Sequence, residues 1–224
     1  INLRNFYVKT NRLSGPFPVV LTKLVKLEYL NLSFNNFSGT IPAEIGNWEE
    51  LKHLYLWKNQ FSGSIPPSIG KLRNLTELSL GENRLSGELP KELGQLENLV
   101  TAYLNNNAFT GQIPNEMTRA SNLKYLNLNS NNLSGDLPDE LGNWEALESL
   151  LLGSNKITGT FPPSIGKMKR LKFLSVFWNK MSGTLPSELG ELENLEWLYL
   201  TNNRFSGTLP SSISNLKRLK ILAI

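Results

Sequence analysis

Leucine returns along this chain at a fixed interval. The positions that open successive units are Leu27, Leu51, Leu75, Leu99, Leu123, Leu147, Leu171, Leu195 and Leu219, each 24 residues from the last. Counting back, Leu3 opens the first unit, so nine complete units span residues 3–218 and a partial unit follows over residues 219–224. A repeat of this length is typical of a solenoid, in which each unit packs only on its neighbours. We therefore expect residues 1–224 to form one elongated domain.

Within each unit the apolar residues follow the pattern L-x-x-L-x-L-x-x-N-x-L-S-G-x-L-P-x-x-L-G-x-L-x-x, with other apolar residues often replacing leucine. The L-x-L segment alternates as a short strand with one buried face must. In the third unit this predicts that Leu54 and Leu56 point inward and that Tyr55 points outward. Because the next unit places the same segment one strand spacing away, the strands are expected to stack into a parallel sheet.

An asparagine occupies the ninth position of every unit. These residues are Asn11, Asn35, Asn59, Asn83, Asn107, Asn131, Asn155, Asn179 and Asn203. The turn after the strand leaves backbone N–H and C=O groups without ladder partners, and each such group costs about 1–3 kcal/mol if it is buried unmatched. A carboxamide both donates and accepts hydrogen bonds. The column therefore predicts a structural role, satisfying successive turns, in preference to a polar ligand site.

Glycine and proline columns mark the rest of the unit. A glycine follows each asparagine by four residues, from Gly15 to Gly207, and allows a positive φ at a bend. A proline stands three residues further on, from Pro18 to Pro210, and suits an extended segment because it needs no hydrogen-bond acceptor. The I-G-x-L stretch that follows, for example residues 69–72, is too short for a long helix and predicts a 3-10 or single-turn helix.

This pattern resembles the plant-type leucine-rich repeat over essentially the whole chain. The S-G-x-I/L/F-P part is the most specific, as in residues 38–42 and 206–210. The resemblance implies an α/β solenoid: a right-handed superhelix with a parallel concave β-sheet, a second short strand beside it, and short 3-10 or helical convex segments. It also implies a home in cell-surface receptor-like kinases, receptor-like proteins or secreted polygalacturonase inhibitors.

Two features depart from that family. Family ectodomains usually carry terminal caps with paired cysteines, whereas this sequence has no cysteine, so the caps are expected outside this segment unless the protein is an atypical member. In addition, no strand carries the Arg-x-Arg pair with which receptors often read the free carboxylate of a peptide hormone. The sequence alone therefore does not support a peptide-hormone assignment.

Composition excludes several classes of function. No apolar run approaches the ~18 residues of a membrane span, so a membrane is expected to be reached only through segments outside this chain. One histidine and no cysteine exclude ordinary zinc sites, and neither G-x-S-x-G around a nucleophile nor H-E-x-x-H is present. The net charge of +4 is mild, and the basic runs lack the interleaved aromatics of nucleic-acid binders. We expect a binding protein with no catalytic residues, metal or cofactor.

In a solenoid the variable, outward-facing strand positions are left free for recognition. Two aromatic clusters occupy them here, with a small, polar surface expected between them. The first comprises Tyr7, Tyr29, Phe34, His53, Tyr55 and Trp57, and the second comprises Phe173, Phe177, Trp178, Trp197 and Tyr199. Exposed aromatics are enriched in binding hot spots, although aromatics also simply favour strands. We expect a ligand on the concave face at these clusters.

A basic series accompanies the second cluster. Lys156, Lys180 and Arg204 occupy the tenth position of three successive units and are expected on the concave side. Such a series suits an acidic peptide, a carboxylated sugar or an acidic protein face. A solvated rim that aids solubility is the alternative.

Glycosylation sequons begin at Asn36, Asn74 and Asn132, and a fourth begins at Asn31 on the expected concave strand. Two of the four arise from the N-x-L-S-G consensus itself, so they are compatible with secretion without establishing it. A glycan at Asn31 would occupy the concave strand, which argues against use of that sequon.

The fifth unit carries weaker core residues than its neighbours. Ala102 and Ala120 replace core leucines, and Thr118 replaces the glycine of the convex segment. Smaller side chains bury less apolar area. We expect this coil to be the least stable, unless neighbouring side chains fill the space.

The leading hypothesis is an extracellular, ligand- or co-receptor-binding ectodomain of a receptor-like kinase or receptor-like protein, with a protein or peptide ligand on the concave face. The second is a secreted inhibitor of a cell-wall-degrading enzyme, and the third is an intracellular scaffold. The presence of a membrane span and a kinase domain in the full gene would distinguish the first from the other two.

Overall fold

The computed structural model describes residues 2–224 as a stack of similar coils. Each coil contributes one short strand to a ten-stranded parallel sheet, in chain order. These strands are β1 (Asn5–Tyr7), β3 (Tyr29–Asn31), β5 (His53–Tyr55), β7 (Glu77–Ser79), β9 (Thr101–Tyr103), β11 (Tyr125–Asn127), β13 (Ser149–Leu151), β15 (Phe173–Ser175), β17 (Trp197–Tyr199) and β19 (Ile221–Ala223). The parallel stacking that the repeat predicts is confirmed.

A second series of strands runs beside this sheet, on the other side of the asparagine turn. It consists of β2 (Ser14–Pro16), β4 (Asn36–Thr40), β6 (Gln60–Gly63), β8 (Arg84–Glu88), β10 (Ala108–Thr110), β12 (Ser134–Gly135), β14 (Lys156–Ile157), β16 (Ser182–Gly183) and β18 (Arg204–Phe205). The first five of these form one sheet, and the last four form two pairs. Asn132 N donates to Phe109 O at 2.8 Å and Lys180 N to Ile157 O at 2.8 Å, so backbone hydrogen bonds continue across both interruptions.

Short 3-10 helices form the opposite side of every coil. They are η1 (Val19–Lys23), η2 (Ala43–Asn47), η3 (Pro67–Lys71), η4 (Lys91–Gln95), η5 (Asn115–Arg119), η6 (Leu141–Asn143), η7 (Pro163–Lys167), η8 (Ser187–Glu191) and η9 (Ser211–Asn215). Each begins within three residues after the proline of its unit. Each ends in a turn such as that closed by Leu72 N donating to Ile69 O at 3.0 Å. The prediction from the I-G-x-L stretch is confirmed.

The leucine columns form one continuous core along the stack. Leu54 and Leu56 are 1% and 0% exposed, while Tyr55 between them is only partly buried, as the alternation predicts. Two tryptophans, Trp48 and Trp144, replace the leucine of the convex segment and are fully buried. Because a buried indole N–H needs an acceptor, each donates at 3.1 Å to a backbone carbonyl of the preceding coil.

The asparagine column joins consecutive coils through hydrogen bonds. Asn35 Nδ2 donates to Leu32 O in its own coil at 3.1 Å and to Val8 O in the preceding coil at 2.8 Å. Its Oδ1 accepts from Leu13 N of the preceding coil at 3.0 Å. The same arrangement recurs at Asn59, Asn83, Asn107, Asn131, Asn155, Asn179 and Asn203. The predicted structural role of this column is confirmed.

A second asparagine series, at the last position of the unit, was missed at the level of sequence. The side-chain amides of Asn74, Asn98, Asn122 and Asn194 each donate to a backbone carbonyl one coil earlier, at 2.7–2.9 Å. These bonds link the coils at the segment that leads into the ten-stranded sheet. The series is discontinuous in sequence, which is why the repeat pattern did not reveal it.

Two positions in every coil have a positive φ. The glycine column lies between 68° and 99°, as predicted. The residue before the asparagine at the ninth position of each unit also has a positive φ, between 51° and 59°, although it is never glycine. These residues are Thr10, Phe34, Lys58, Glu82, Asn106, Ser130, Ser154, Trp178 and Asn202. This conformation costs a non-glycine residue roughly 1–2 kcal/mol. It is held because the turn is hydrogen-bonded on both sides, for example Phe34 N to Trp57 O at 2.9 Å.

The fifth coil departs from its neighbours where the sequence does. Thr118 carries a Cβ at a position where adjacent coils have glycine, and its hydroxyl donates to Asn115 O at 2.7 Å. The next 3-10 helix, η6, has three residues whereas the other eight have five. Ala120 is buried, and the bulky Trp144 occupies the same position one coil later. The convex packing between the fifth and sixth coils is therefore the irregular point of the stack.

We expect residues 99–122 to show the fastest internal amide exchange of the middle coils. The reason is that the buried Ala102 and Ala120 cover less apolar area than the leucines at these positions in other coils, which lowers the free energy of local opening. Hydrogen–deuterium exchange read by mass spectrometry provides the measurement, with residues 147–170 as the internal control. Equal protection of the two segments would show that Trp144 restores the packing.

Candidate ligand-binding face

The solvent-facing side of the ten-stranded sheet, here called the concave face, arranges side chains in rows. Tyr29 pairs in register with His53, and His53 pairs with Glu77, so equivalent positions of successive coils become lateral neighbours. A second row, two residues further along each strand, places Tyr55 beside Ser79 and Ser79 beside Tyr103. Side chains 24 residues apart are thereby brought within contact distance.

The first cluster contains a continuous group of rings on β1, β3 and β5. The ring centroids of Tyr7 and Tyr29 are 4.5 Å apart, and Tyr29 lies 5.2 Å from both His53 and Tyr55. The rings of His53 and Tyr55 are stacked at 6.1 Å with an interplanar angle of 6°. These four residues form a surface of tilted and stacked rings, as the sequence predicts.

The other two members of the first cluster lie apart from that group. Phe34 is in the positive-φ turn, and its ring lies between two ammonium groups, with Lys9 Nζ at 5.6 Å and Lys58 Nζ at 5.4 Å. Trp57 packs edge-on against Tyr103, at 6.1 Å between centroids and 77° between planes. The expectation of a small, polar surface between the clusters is wrong at Tyr103, which extends the aromatic surface into the fifth coil. Its signal in the sequence is that it occupies the same unit position as Tyr55.

Glu77 on β7 joins this surface and was also missed. The Tyr55 hydroxyl donates a hydrogen bond to Glu77 Oε2, and His53 Nδ1 lies 3.8 Å from Glu77 Oε1. Burial, followed by the hydrogen bond to this carboxylate, raises the pKa of Tyr55 above its usual range. Burial and the charge of Glu77 likewise raise the pKa of Tyr103. Both phenols are consequently neutral at physiological pH.

The second cluster is centred on β15 and β17. Phe173 lies 5.7 Å from the ring of Trp197 and 5.4 Å from that of Tyr199. Lys220 Nζ sits 5.0 Å from the centroid of Trp197. Phe177 is half-buried against the preceding coil, where a Cβ on Gly153 would lie 2.3 Å from its ring. The glycine thus provides the space that this ring fills.

Trp178 does not belong to the packed part of that cluster. It is 63% exposed, lies in the positive-φ turn outside any strand, and has no aromatic partner among residues 2–224. Phe177 and Trp178 are adjacent in the sequence and were expected in one cluster. The structure separates them at the turn. The Phe177 ring packs on Gly153, while the Trp178 side chain extends into solvent.

Family models match most of the chain. One, described as "Leucine rich repeat", matches residues 121–181. Another, described as "Leucine Rich Repeat", matches residues 26–48, 50–72, 74–96 and 194–216, so that the two together span more than half of the chain. This chain belongs to the leucine-rich-repeat family. No curated protein matches the sequence significantly.

Solved structures of leucine-rich-repeat proteins superpose closely on this one. The plant peptide hormone receptor RGFR1, in complex with RGF2, has a TM-score of 0.96 at 30% identity over 97% of this chain. The Arabidopsis receptor kinase HAESA, in complex with the peptide hormone IDA and the co-receptor SERK1, has a TM-score of 0.89 at 35% identity over 92% of this chain. This chain spans 35% of the length of each of those two receptor chains.

The same scaffold also occurs in proteins with other functions. A plant ice-binding protein superposes with a TM-score of 0.81 at 30% identity, covering 93% of this chain and 67% of its own. A shared leucine-rich-repeat fold therefore does not determine what is bound. The ligand has to be argued from the outward-facing side chains.

The basic series of this leucine-rich-repeat protein lies away from the ten-stranded sheet. Lys156 and Arg204 begin the second-series strands β14 and β18, and Lys180 occupies the equivalent place before β16. All three are exposed, and none lies within 4.0 Å of a carboxylate among residues 2–224. The structure thus places these side chains beyond the asparagine turn, at the rim of the concave face, and not on the sheet itself.

The four sequons differ in accessibility. Asn36 and Asn74 are exposed, and Asn132 is partly buried. Asn31 is only 8% exposed, and its Oδ1 accepts from Ser33 N at 3.0 Å, so its amide is not free on the surface. This arrangement agrees with the expectation that the Asn31 sequon is unsuitable for a glycan.

Two features are absent from residues 2–224. No helix there is long and apolar enough to cross a membrane. No group of three or more His, Cys, Asp or Glu side chains converges there as a metal site would require.

Proposed function

We propose that this chain is part of the extracellular ectodomain of a plant receptor-like kinase or receptor-like protein, and that it binds a peptide or protein ligand on its concave face. The observation that carries the proposal is the aromatic surface of the ten-stranded sheet, represented by Tyr29, Tyr55, Phe173 and Trp197. Large rings held partly exposed on rigid strands supply the burial energy that binding hot spots use.

The solved neighbours support this proposal. RGFR1 is a plant peptide hormone receptor in complex with RGF2, and HAESA is in complex with the peptide hormone IDA and the co-receptor SERK1. The whole protein's kinase activity, membrane span and co-receptor are part of this proposal, since this chain spans only about a third of those receptors. Glycans at Asn36, Asn74 and Asn132 would accompany an extracellular location.

The test is a selection of random peptides displayed on phage against the immobilised chain. We expect enriched peptides to bind with at least tenfold lower affinity to Tyr55→Ala or Trp197→Ala, because truncating a central ring typically costs more than about 1.4 kcal/mol. Lys91→Ala, on the exposed side of η4, serves as the matched surface control. Calorimetry measures the affinities, and thermal unfolding verifies that each variant is folded.

Selected peptides that bind both aromatic variants as tightly as the unmodified chain would contradict the proposal, because the concave face would then not be the site. Trp178→Ala is informative in the same experiment. If it alone abolishes binding, the ligand lies along the rim with Lys156, Lys180 and Arg204.

A further inference from the structure

Among the glutamates that flank the ten-stranded sheet, Glu77 has an unusual environment. Glu28 accepts from Lys52 Nζ at 2.7 Å, Glu148 from Lys172 Nζ at 2.8 Å, and Glu196 from Lys220 Nζ at 2.6 Å. These three glutamates precede a strand and are neutralised by a lysine of the following coil. Hydrogen bonds from such partners lower the pKa of Glu28 and of Glu148.

Glu77, one position later in its unit, has neither Lys nor Arg within 4.0 Å in the described part of the chain. Its Oε2 accepts the Tyr55 hydroxyl, while Oε1 has only His53 Nδ1 at 3.8 Å, which is too long for a hydrogen bond. His53 Nδ1 is itself buried without a hydrogen-bond partner. Because the Glu77 side chain is 40% exposed, Oε1 remains open to a donor arriving from solvent.

Tyrosines on the two strands next to β7 flank this open carboxylate. Tyr55 lies on one side, and Tyr103, whose pKa responds to the Glu77 charge, lies on the other. Trp57 reaches across the fourth coil to contact Tyr103 edge-on at 6.1 Å. The fourth coil itself offers only Ser79 and Gly81 at the corresponding positions, both buried, so the rings have no competing side chain between them.

A carboxylate beside neutral aromatic rings favours a cation. The carboxylate supplies a charge-assisted hydrogen bond, and ring faces attract guanidinium or ammonium groups. Guanidinium suits the arrangement better because its planar fork can donate to Oε1 while stacking on a ring. The chain as a whole is positive, with a net charge of +4, so its overall charge does not attract cations and any preference for them has to come from this local arrangement.

We propose that Glu77, with His53, Tyr55, Trp57 and Tyr103, forms a subsite for a basic side chain of the ligand, with arginine preferred to lysine. This inference rests on the proposed function, since it specifies the chemistry of a peptide that the concave face takes. It assigns no role to the second cluster, whose basic neighbours suit the opposite charge.

The test uses small probes and therefore needs no identified ligand. N-acetyl-arginine amide is titrated into the chain carrying ¹⁵N-labelled tryptophan, and the indole N–H signal of Trp57, assigned with Trp57→Phe, is followed by NMR. We expect a saturable shift with a dissociation constant on the order of millimolar, while Trp48, Trp144 and Trp197 do not respond. N-acetyl-lysine amide should bind more weakly, and the uncharged isostere N-acetyl-citrulline amide should give no saturable shift.

Glu77→Gln keeps an acceptor for Tyr55 and removes the charge, so arginine-amide binding should weaken at least tenfold. Glu82→Gln, in the turn of the same coil, is the matched control and should titrate like the unmodified chain. Equal binding by Glu77→Gln, or by the citrulline probe, would overturn the subsite.

This result is independent of the peptide selection. If arginine amide binds at Glu77 while selected peptides ignore the concave face, the subsite stands and the receptor proposal fails. If selected peptides require the concave rings but contain no basic residue and arginine amide gives no shift, the subsite fails and the receptor proposal stands.

Discussion

Asn131→Ala is expected to lower the free energy of unfolding by about 3 kcal/mol, because it leaves a buried backbone N–H unmatched and removes several hydrogen bonds at once. Asn131 Oδ1 accepts from Phe109 N at 3.1 Å, and the backbone pattern of the second strands offers that N–H no other partner among the described residues. Its Nδ2 donates to Leu104 O at 3.1 Å and to Leu128 O at 3.1 Å. Urea unfolding followed by circular dichroism measures the change.

Two further variants make this expectation specific. Asn132→Ala alters the adjacent residue, whose side chain makes no hydrogen bond within residues 2–224, and should change the free energy by less than about 0.5 kcal/mol. Asn131→Asp retains the acceptor for Phe109 N but sets a carboxylate against the carbonyls of Leu104 and Leu128, so it should also be destabilising. If Asn131→Ala lowers the free energy of unfolding no more than Asn132→Ala does, water must replace the hydrogen bonds of the Asn131 side chain.

The scaffold was predictable because the same physical requirement recurs in each coil. Leu54, Leu56 and Asn59 have equivalents 24 residues before and after them. These equivalents are buried and hydrogen-bonded in nearly the same way from one coil to the next. The positive φ before each asparagine also recurs in every coil, but the sequence does not predict it, because the residue type at that position varies. Residues as different as Thr10, Glu82 and Trp178 have φ values between 51° and 59° there, since the surrounding backbone hydrogen bonds impose this conformation.

The recognition surface was less predictable, because it depends on which side chains fail to repeat. Sequence position placed Tyr29, His53 and Tyr55 together correctly, since they share rows of the sheet. It did not place Trp57 against Tyr103, because that contact spans two coils and requires small residues in the coil between them. Likewise nothing in the sequence distinguishes Glu77 from the lysine-paired glutamates, except a shift of one position in the unit.

Gly94→Ala is expected to be the other strongly destabilising change, with a loss of about 1–3 kcal/mol or more, which is the usual range for overpacking. Gly94 lies in η4, where a Cβ would stand 1.9 Å from Glu116 O and 2.5 Å from the Glu116 carbonyl carbon in the next coil. These are backbone atoms, so no side-chain rotation relieves the overlap. The convex segments of the fourth and fifth coils would have to separate, which thermal and urea unfolding would both detect.

Gly46→Ala provides the matched control, since Gly46 occupies the same position two coils earlier. Its Cβ would lie 2.9 Å from Ser68 Cβ and 3.1 Å from Ser68 O, so its closest approach to backbone is 3.1 Å where that of Gly94 is 1.9 Å. Comparing the two variants cancels the common effect of replacing glycine in a 3-10 helix and isolates the backbone overlap. The fifth coil shows that a larger residue can be accommodated at this position. Thr118 occupies it there, and the 3-10 helix of the next coil, η6, has only three residues. If Gly94→Ala lowers the free energy of unfolding no more than Gly46→Ala does, the fifth coil must move to accept the Cβ. The glycine column would then not determine the spacing of the convex helices.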